Sequence, residues 1–481
     1  MDKAARKRRE PPLFVDLDGS LVANDTLDES LAGLLPNRPH LLLLLPWWFL
    51  RGRAYGKRRL AQAWLPDPAQ LKYHPEVLAF LREEKDKGRE IVLATAADEA
   101  VARRVATHTG LFDAILASDG QTNLAGEKKL AAIMNHAQGR EFAYLGNSGV
   151  DLPIWRAAGQ VLAASRGPAL LGRLAAAGLR PRRVFPWPRP RLTALFRLLR
   201  PHQWAKNLLL FVSLALAHLL GDPILLFAVF RAFAAFCLCA SAAYIVNDLC
   251  DLDADRQHPQ KRHRPLAAGL VSLRQAALAA VLLLAGGLAV AFSVNQELAL
   301  LVSGYLIATL GYSLWIKRLV LLDVVTLSLL YTARIVAGSA AIGIKTTPWL
   351  MGFSIFIFLS LALAKRYSEL RRLQLESGPG KAAGRGYSTD DLEQLAIFGG
   401  ASGYLSVLVL ALYMHSPEVA RLYEHIRFMW LICPLLIYWI SRLWLLARRG
   451  ILDEDPVVFT LRDRASYLVG AAIVGLLLLS L

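Results

Sequence analysis

From residue 205 to the C-terminus the chain consists mainly of apolar runs of about 15–24 residues separated by short polar loops, and no other feature limits its fold as much. Runs of this length cross a hydrocarbon core as helices, because nothing in that core satisfies a backbone not hydrogen-bonded to itself. Nine candidate spans lie near residues 207–221, 225–247, 272–293, 297–315, 320–342, 347–364, 394–415, 427–446 and 464–481. The fifth carries Asp323 and Arg334, which must face a bundle interior or lie partly outside the lipid. Residues 1–200 differ, alternating charged and apolar stretches as a soluble α/β domain does. At 481 residues and 55% hydrophobic, the whole is too apolar for an ordinary soluble protein.

The formal net charge is +17, and its placement favours a membrane over a nucleic acid. Basic residues gather at the ends of apolar runs, without the aromatic interleaving of a single-strand binder. Arg256, Lys261, Arg262 and Arg264 lie between spans two and three, Lys317 and Arg318 between four and five. Lys365, Arg366, Arg371, Arg372, Lys381 and Arg385 lie between six and seven, and Arg448, Arg449 and Arg462 between eight and nine. The opposite loops hold little beyond Lys345, Arg421 and Arg427. By the positive-inside rule the N-terminal domain is cytoplasmic and the C-terminus outside, in a bacterial-type inner membrane. No signal peptide is expected, since the first apolar segment follows an acidic motif. Cys237, Cys239, Cys250 and Cys433 show neither zinc spacing nor a disulfide framework and read as small membrane-helix residues. Residues 176–200, basic and proline-rich, read as a linker lying on the anionic leaflet. Leu41 to Leu50, too short to span and containing Pro46, is either a buried cap helix or an interfacial one with Trp47 and Trp48 at headgroup level.

In the N-terminal part, Leu13-Phe14-Val15-Asp16-Leu17-Asp18-Gly19-Ser20 reads as a strand ending in two acids and a glycine turn. Ligands of open α/β sheets collect at the carboxyl ends of strands. Alternation puts Asp16 and Asp18 on one side, where one can attack phosphorus and the other exchange a proton. Three segments follow in order. Residues 91–95 are an apolar strand ending in the Thr95 hydroxyl, Gly126-Glu127-Lys128-Lys129 offers an ammonium group, and residues 142–151 run from an apolar strand to Asp151. Phosphoryl transfer needs this set of nucleophile, acid, phosphate holders and a carboxylate for Mg²⁺.

The order and spacing resemble the haloacid dehalogenase-like hydrolase superfamily over residues 11–175. The resemblance implies a Rossmann-type sheet with a cap, Asp16 as nucleophile and Asp18 as acid/base. It implies Thr95 and Lys129 (or Lys128, one register away) as phosphate holders. Mg²⁺ would sit on Asp16, Asp18 and Asp151. One departure is Asn147, where that family has an acidic residue after the glycine; an amide oxygen is a poorer Mg²⁺ ligand. The cap would span residues 26–74 and contains Arg51, Arg53, Lys57, Arg58 and Arg59, a basic face for lipid headgroups or for an anionic, lipid-linked substrate.

In the membrane part, Asn247-Asp248-Leu249-Cys250-Asp251-Leu252-Asp253-Ala254-Asp255 closes the second span. Positions 247, 251 and 255 are four apart and form one polar stripe on a helix, which tolerates like charges only with cations between them. Oxygen ligands present Mg²⁺ to a diphosphate in this way. Lys261 and Arg264 follow, able to hold phosphate oxygens. A second polar set comprises Tyr312, Lys317, Asp323 and Arg334, and Lys206 and Asn207 open the first span.

NDxxDxxxD, HPxKxxRP and a later Y-x4-K-x5-D segment resemble the UbiA superfamily of intramembrane prenyltransferases, over residues 201–481. That resemblance implies a nine-helix all-α transmembrane bundle, a cavity for a polyprenyl lipid, and Mg²⁺ held by Asn247, Asp248, Asp251 and Asp255. RPHQWAKN looks like the decaprenyl-phosphate phosphoribosyltransferase branch, and Leu327 stands where aromatic prenyltransferases have a second acid after Asp323. The implied reaction moves phosphoribose from phosphoribosyl pyrophosphate to a polyprenyl phosphate, with Asp251 and Lys317 among the catalytic residues, and the fused phosphatase removing the product's 5-phosphate. Competing expectations are an aromatic prenyltransferase using polyprenyl diphosphate, and a lipid-binding or transport protein with an inactive soluble domain.

Overall fold

The computed structural model describes residues 10–165, 167–188, 192–381, 385–416, 419, 423–452, 456–460 and 462–481. Arg189, Arg191 and Arg421 fall outside them. The chain forms two compact units, Met1–Leu199 with Asp248–Ala279, and Arg200–Asn247 with Ala280–Leu481.

The first unit is built on a six-stranded sheet of order β3-β2-β1-β4-β5-β6, every pair parallel. The strands are β1 (Leu13–Val15), β2 (Ile91–Asp98), β3 (Ala114–Ser118), β4 (Ala143–Gly146), β5 (Gln160–Ser165) and β6 (Arg183–Pro186). A parallel sheet covered on both faces needs apolar side chains at successive positions, not alternate ones. Leu13, Phe14 and Val15 meet that need with no exposure, Leu13 and Val15 facing one core cluster and Phe14 the other. The chain turns to opposite sides of β1 to reach β2 and β4, so the crevice for ligands opens at the end of β1. Val15 is in register with Leu93 and Leu145, which brings Asp16, Thr95 and Asn147 to one edge.

Residues 183–186 were expected within a linker but form the edge strand β6. Proline is tolerated at a sheet edge, where its missing N–H is not required. Arg183 lies against the Phe80 and Phe185 rings, and Phe185 and Trp187 are buried. Residues 39–50 are helical, 3₁₀ over Pro39–Leu44 and α over Leu45–Leu50. Trp48 is buried there, while Leu43, Trp47 and Leu50 are exposed, so the segment is not a wholly buried cap helix.

Among the described residues, seven helices are long and apolar enough to cross a membrane: Pro223–Cys250, Leu273–Val294, Gln296–Leu314, Leu322–Ala341, Pro348–Glu376, Thr389–Met414 and Ile426–Arg448. The expected count of nine is not reached at the two ends. The first expected span is a 3₁₀ run, Pro201–Leu210, followed by a short α-helix, Phe211–Leu216, and ends where His218 takes a φ of +57°. Irregular backbone is tolerated at membrane depth only where protein surrounds it, and Lys206, Asn207 and Leu210 are buried. The last, Arg464–Ser480, has 17 residues and reaches about 25 Å of a core about 30 Å thick.

Candidate functional sites

Asp16 follows β1 and is nearly buried. One carboxylate oxygen accepts from Lys129 Nζ at 2.8 Å and the other from Ser20 Oγ at 3.4 Å. Lys129 also donates to Tyr144 Oη at 3.2 Å and stands 3.8 Å from Asp151. Burial opposes the Lys129 charge, but the Asp16 and Asp151 carboxylates outweigh it and raise its pKa. Lys128, one position earlier, is exposed. Burial raises Asp16 to about 6 against the pull of Lys129. Asp18, half-buried, accepts from Thr26 N–H at 2.8 Å; burial and the nearby Asp25 and Asp16 carboxylates raise it to about 7. Thr95 is fully buried on β2, its Oγ1 accepting from Ala97 N–H at 3.0 Å.

Asp151, expected as a metal ligand, sits in a hydrogen-bond network. Its Oδ1 accepts from Tyr144 Oη at 2.8 Å, and its Oδ2 from the Asn147 and Ser148 amides and the Ser148 hydroxyl at 3.1–3.2 Å. So engaged, it orients Tyr144 and Lys129. Asn147 instead stands over the turn: a Cβ on Gly19, whose φ is +73°, would lie 1.9 Å from Asn147 Nδ2. From the cap, Lys57 reaches Ala96 O at 2.6 Å and Asn123 Oδ1 at 2.9 Å, in a recess lined also by Asp18, Asp25 and Thr26. Arg58 pairs with Asp98 at 3.3 Å, and Arg51 and Arg59 lie over Trp47 and Trp48.

Among the described residues no three His, Cys, Asp or Glu side chains come together as a metal cluster. Mg²⁺ is commonly held by one or two carboxylates, waters and substrate phosphates. Asp16 and Asp18, two carboxylates just past the end of β1, offer a donor set of that size.

The expected helical stripe is interrupted. Helix Pro223–Cys250 ends, and a six-residue helix, Leu252–Gln257, begins after Asp251. Across the second interval the Asp255 N–H donates to Asp251 O at 2.8 Å. Asp248 and Asp255, both buried, meet at Arg264 Nη1, at 3.2 and 2.6 Å. Burial raises Asp255 despite Arg264. Asn247 and Asp251 are half-buried, and Lys261 stands on a short 3₁₀ turn, Lys261–His263.

In the second unit the expected polar set separates into two networks. Arg334 Nε donates to Asn207 Oδ1 at 3.0 Å and its Nη2 to Tyr305 Oη at 2.8 Å; Arg334 and Lys206 both lie against the Tyr331 ring. Asp323 belongs elsewhere: it accepts from Tyr387 Oη at 2.6 Å and pairs with Arg366 at 2.6 Å, both charged side chains fully buried. Arg366 also binds Glu369, which reaches Arg385 at 3.4 Å, and Arg385 lies 3.5 Å from Tyr312 Oη. Arg366 was expected in a loop, but its helix, Pro348–Ser377, runs past the expected span end at 364. Lys317, on the 3₁₀ turn Ile316–Arg318, is half-buried. The same unit encloses a mainly apolar cavity of about 620 Å³, lined by Leu209, Val212, Trp349, Phe353, Phe358 and Tyr413 among others.

Sequence reasoning missed Tyr144, Ser20, Tyr305 and Tyr387 as partners. No local spacing marks them, although Ser20 and Tyr144 lie within the β1 and β4 segments already singled out.

Residues 208–461 match the UbiA prenyltransferase family, and residues 13–156 match haloacid dehalogenase-like hydrolases. Uncharacterized protein y4nM of Sinorhizobium fredii is 38% identical over 468 residues, covering 97% of this chain and 90% of that protein. Nodulation protein NoeC of Azorhizobium caulinodans is 34% identical over 267 residues, 56% of this chain and 86% of its own. A decaprenyl-phosphate phosphoribosyltransferase of Mycolicibacterium smegmatis is 35% identical over 190 residues, 38% of this chain and 59% of that enzyme.

Proposed function

The chain belongs to the UbiA prenyltransferase family, and on that basis we propose that it transfers phosphoribose from phosphoribosyl pyrophosphate to a polyprenyl phosphate. It is a multi-pass integral membrane protein with a haloacid dehalogenase-like domain at its N-terminus. The loop charges support a cytoplasmic N-terminal domain in a bacterial inner membrane.

The observation that carries this reading is the contrast between the two acidic sites. Asp323 is matched one to one by the buried Arg366 and bound by Tyr387, whereas Asp248 and Asp255 share the single Arg264. The loop with Asp248, Asp251 and Asp255 is left as the acidic group for one metal-bound diphosphate. That suits a donor with a diphosphate and an acceptor with a single phosphate. The 35% identity to a decaprenyl-phosphate phosphoribosyltransferase supports the same pair of substrates.

One or two carboxylates of this loop, from Asp248, Asp251 and Asp255 with Asn247 preceding them, would hold Mg²⁺ together with the donor's own diphosphate oxygens, and the metal would neutralise charge on the departing pyrophosphate. Lys261 and Arg264 hold diphosphate oxygens. A phosphate oxygen of the lipid forms the bond to ribose C1 as the C1–pyrophosphate bond breaks, and pyrophosphate leaves with the electron pair. The lipid phosphate is already ionised, so no strong base is required. Lys206, Lys317 and Arg334 are the cations offered to it, and the apolar cavity receives the polyprenyl tail. In the N-terminal domain Asp16 attacks the 5-phosphate of the product and Asp18 protonates the leaving oxygen, with Thr95 and Lys129 holding phosphate; water then cleaves the phosphoryl–Asp16 bond and releases inorganic phosphate. Tethering both activities in one chain raises the local concentration of product at the second.

Replacing Asp251 with Ala abolishes transfer on this account; substantial activity at saturating Mg²⁺ refutes it. Asp16→Asn leaves the product's 5-phosphate in place, and its loss at the wild-type rate refutes the phosphatase role.

A further inference from the structure

The loop bearing Asp248, Asp251 and Asp255 packs with the hydrolase-like fold in the first compact unit. Two sets of ion pairs fix it there. Arg256 donates from its two terminal nitrogens to the two oxygens of Glu29, at 2.7 and 3.0 Å, and both side chains are under a tenth exposed. Glu29 also accepts from Asn24 at 2.8 Å. Farther along, Arg274 donates to Asp28 at 2.9 Å and to Asp25. Glu29 and Asp28 lie in the first turn of helix Thr26–Asn37, and Asp25 is its N-cap. Gly269, at φ +69°, brings the loop backbone close: a Cβ there would lie 3.4 Å from Lys72 and 3.7 Å from Ala23.

Exposed ion pairs hold little, but a buried bidentate pair leaves an uncompensated charge when one partner is removed. Arg256 Nε is buried without a hydrogen bond, so this guanidinium rests on Glu29, with Asp253 3.6 Å away. Arg256 directly follows Asp255, and Asp255 is joined to Asp248 through Arg264. Fixing Arg256 therefore fixes the acidic loop. The same helix start gives its Thr26 N–H to Asp18, so one element serves both sites.

We infer that Glu29 and Arg256 are positioning residues for transfer: the hydrolase-like fold is the scaffold that holds the acidic loop in its working shape, apart from any hydrolysis of its own. The inference rests on reading that loop as the diphosphate site.

The test uses full-length protein in detergent. Glu29→Gln and Arg256→Gln each break the pair, Glu29→Arg with Arg256→Glu reverses it, and Glu99→Gln removes an exposed pair with Arg103 as control. Two readouts are taken: hydrogen exchange across Leu252–Gln257, and transfer kinetics with phosphoribosyl pyrophosphate, Mg²⁺ and polyprenyl phosphate. Each single variant exchanges faster and has a KM for phosphoribosyl pyrophosphate raised about tenfold, with kcat within about twofold, the scale of losing an outer partner at an ion site. The reversed pair recovers both readouts, and Glu99→Gln alters neither. Unchanged exchange in Glu29→Gln overturns the docking. Faster exchange with an unchanged KM, or a kcat loss that reversal does not rescue, overturns the positioning role. A wild-type chain that transfers nothing strikes the substrate reading alone, and exchange still decides the docking.

Discussion

Asn147 and Asp323 show how single residues set what each site can do. An amide stands over Gly19 where a carboxylate would bind a cation more tightly. Asn147→Asp is expected to lower the Mg²⁺ concentration for half-maximal phosphate release by about tenfold, the usual scale of a change at an ion site. Titrating metal against the rate checks this, and an unchanged midpoint denies Asn147 that place. Asp323 and Arg366 are a fully buried ion pair. Arg366→Met leaves Asp323 charged and unpaired, at a cost of about 3–5 kcal/mol, whereas Asp323→Leu with Arg366→Met recovers most of it. Thermal inactivation in detergent measures both, and a double variant no better than the single contradicts the pairing. Asp323 stood out in the sequence as an acid in an apolar run, but its partner did not. Arg366 comes from a neighbouring helix, and helix pairing is not written in local spacing.

Elements were legible where burial dictates a pattern. β1 announced itself as a short apolar run before two acids, because parallel strands are covered on both faces. β6 did not, since an edge strand accepts arginine and proline that read as linker. The break after Cys250 was also hidden: spacing of four gives a stripe only if the helix continues. Helix Pro75–Asp86 is tied to the start of β2 by Glu84, which binds the buried Arg89 at 2.5 Å. Burial works against the Glu84 charge, but the hydrogen bonds from Lys87 and Arg89 outweigh it and hold its pKa below 4.5. A carboxylate lowered on folding adds stability above its unfolded pKa and loses it as pH falls through the folded one. The first unit is therefore expected to weaken below about pH 4.5, and Glu84→Gln to flatten that part of the profile. Hydrogen exchange of β2 against pH reads this, and an unaltered profile in Glu84→Gln rules out the linkage.

At the scale of the whole molecule, run length gave the membrane character and seven of the spans, because a helix must reach across a fixed thickness. It misjudged the polar start of the membrane part, where Lys206 and Asn207 are buried over a 3₁₀ run. The assignment of the acidic loop to the first compact unit was not legible at all, since it depends on contacts between residues more than two hundred positions apart. The reaction is tested most directly by incubating purified protein and Mg²⁺ with polyprenyl phosphate and phosphoribosyl pyrophosphate, or with a polyprenyl diphosphate and aromatic acceptors, and reading the lipids by mass spectrometry. The account predicts a polyprenyl-phosphoryl ribose from the first mixture, its 5-phosphate retained in Asp16→Asn. Product from the second mixture alone contradicts it.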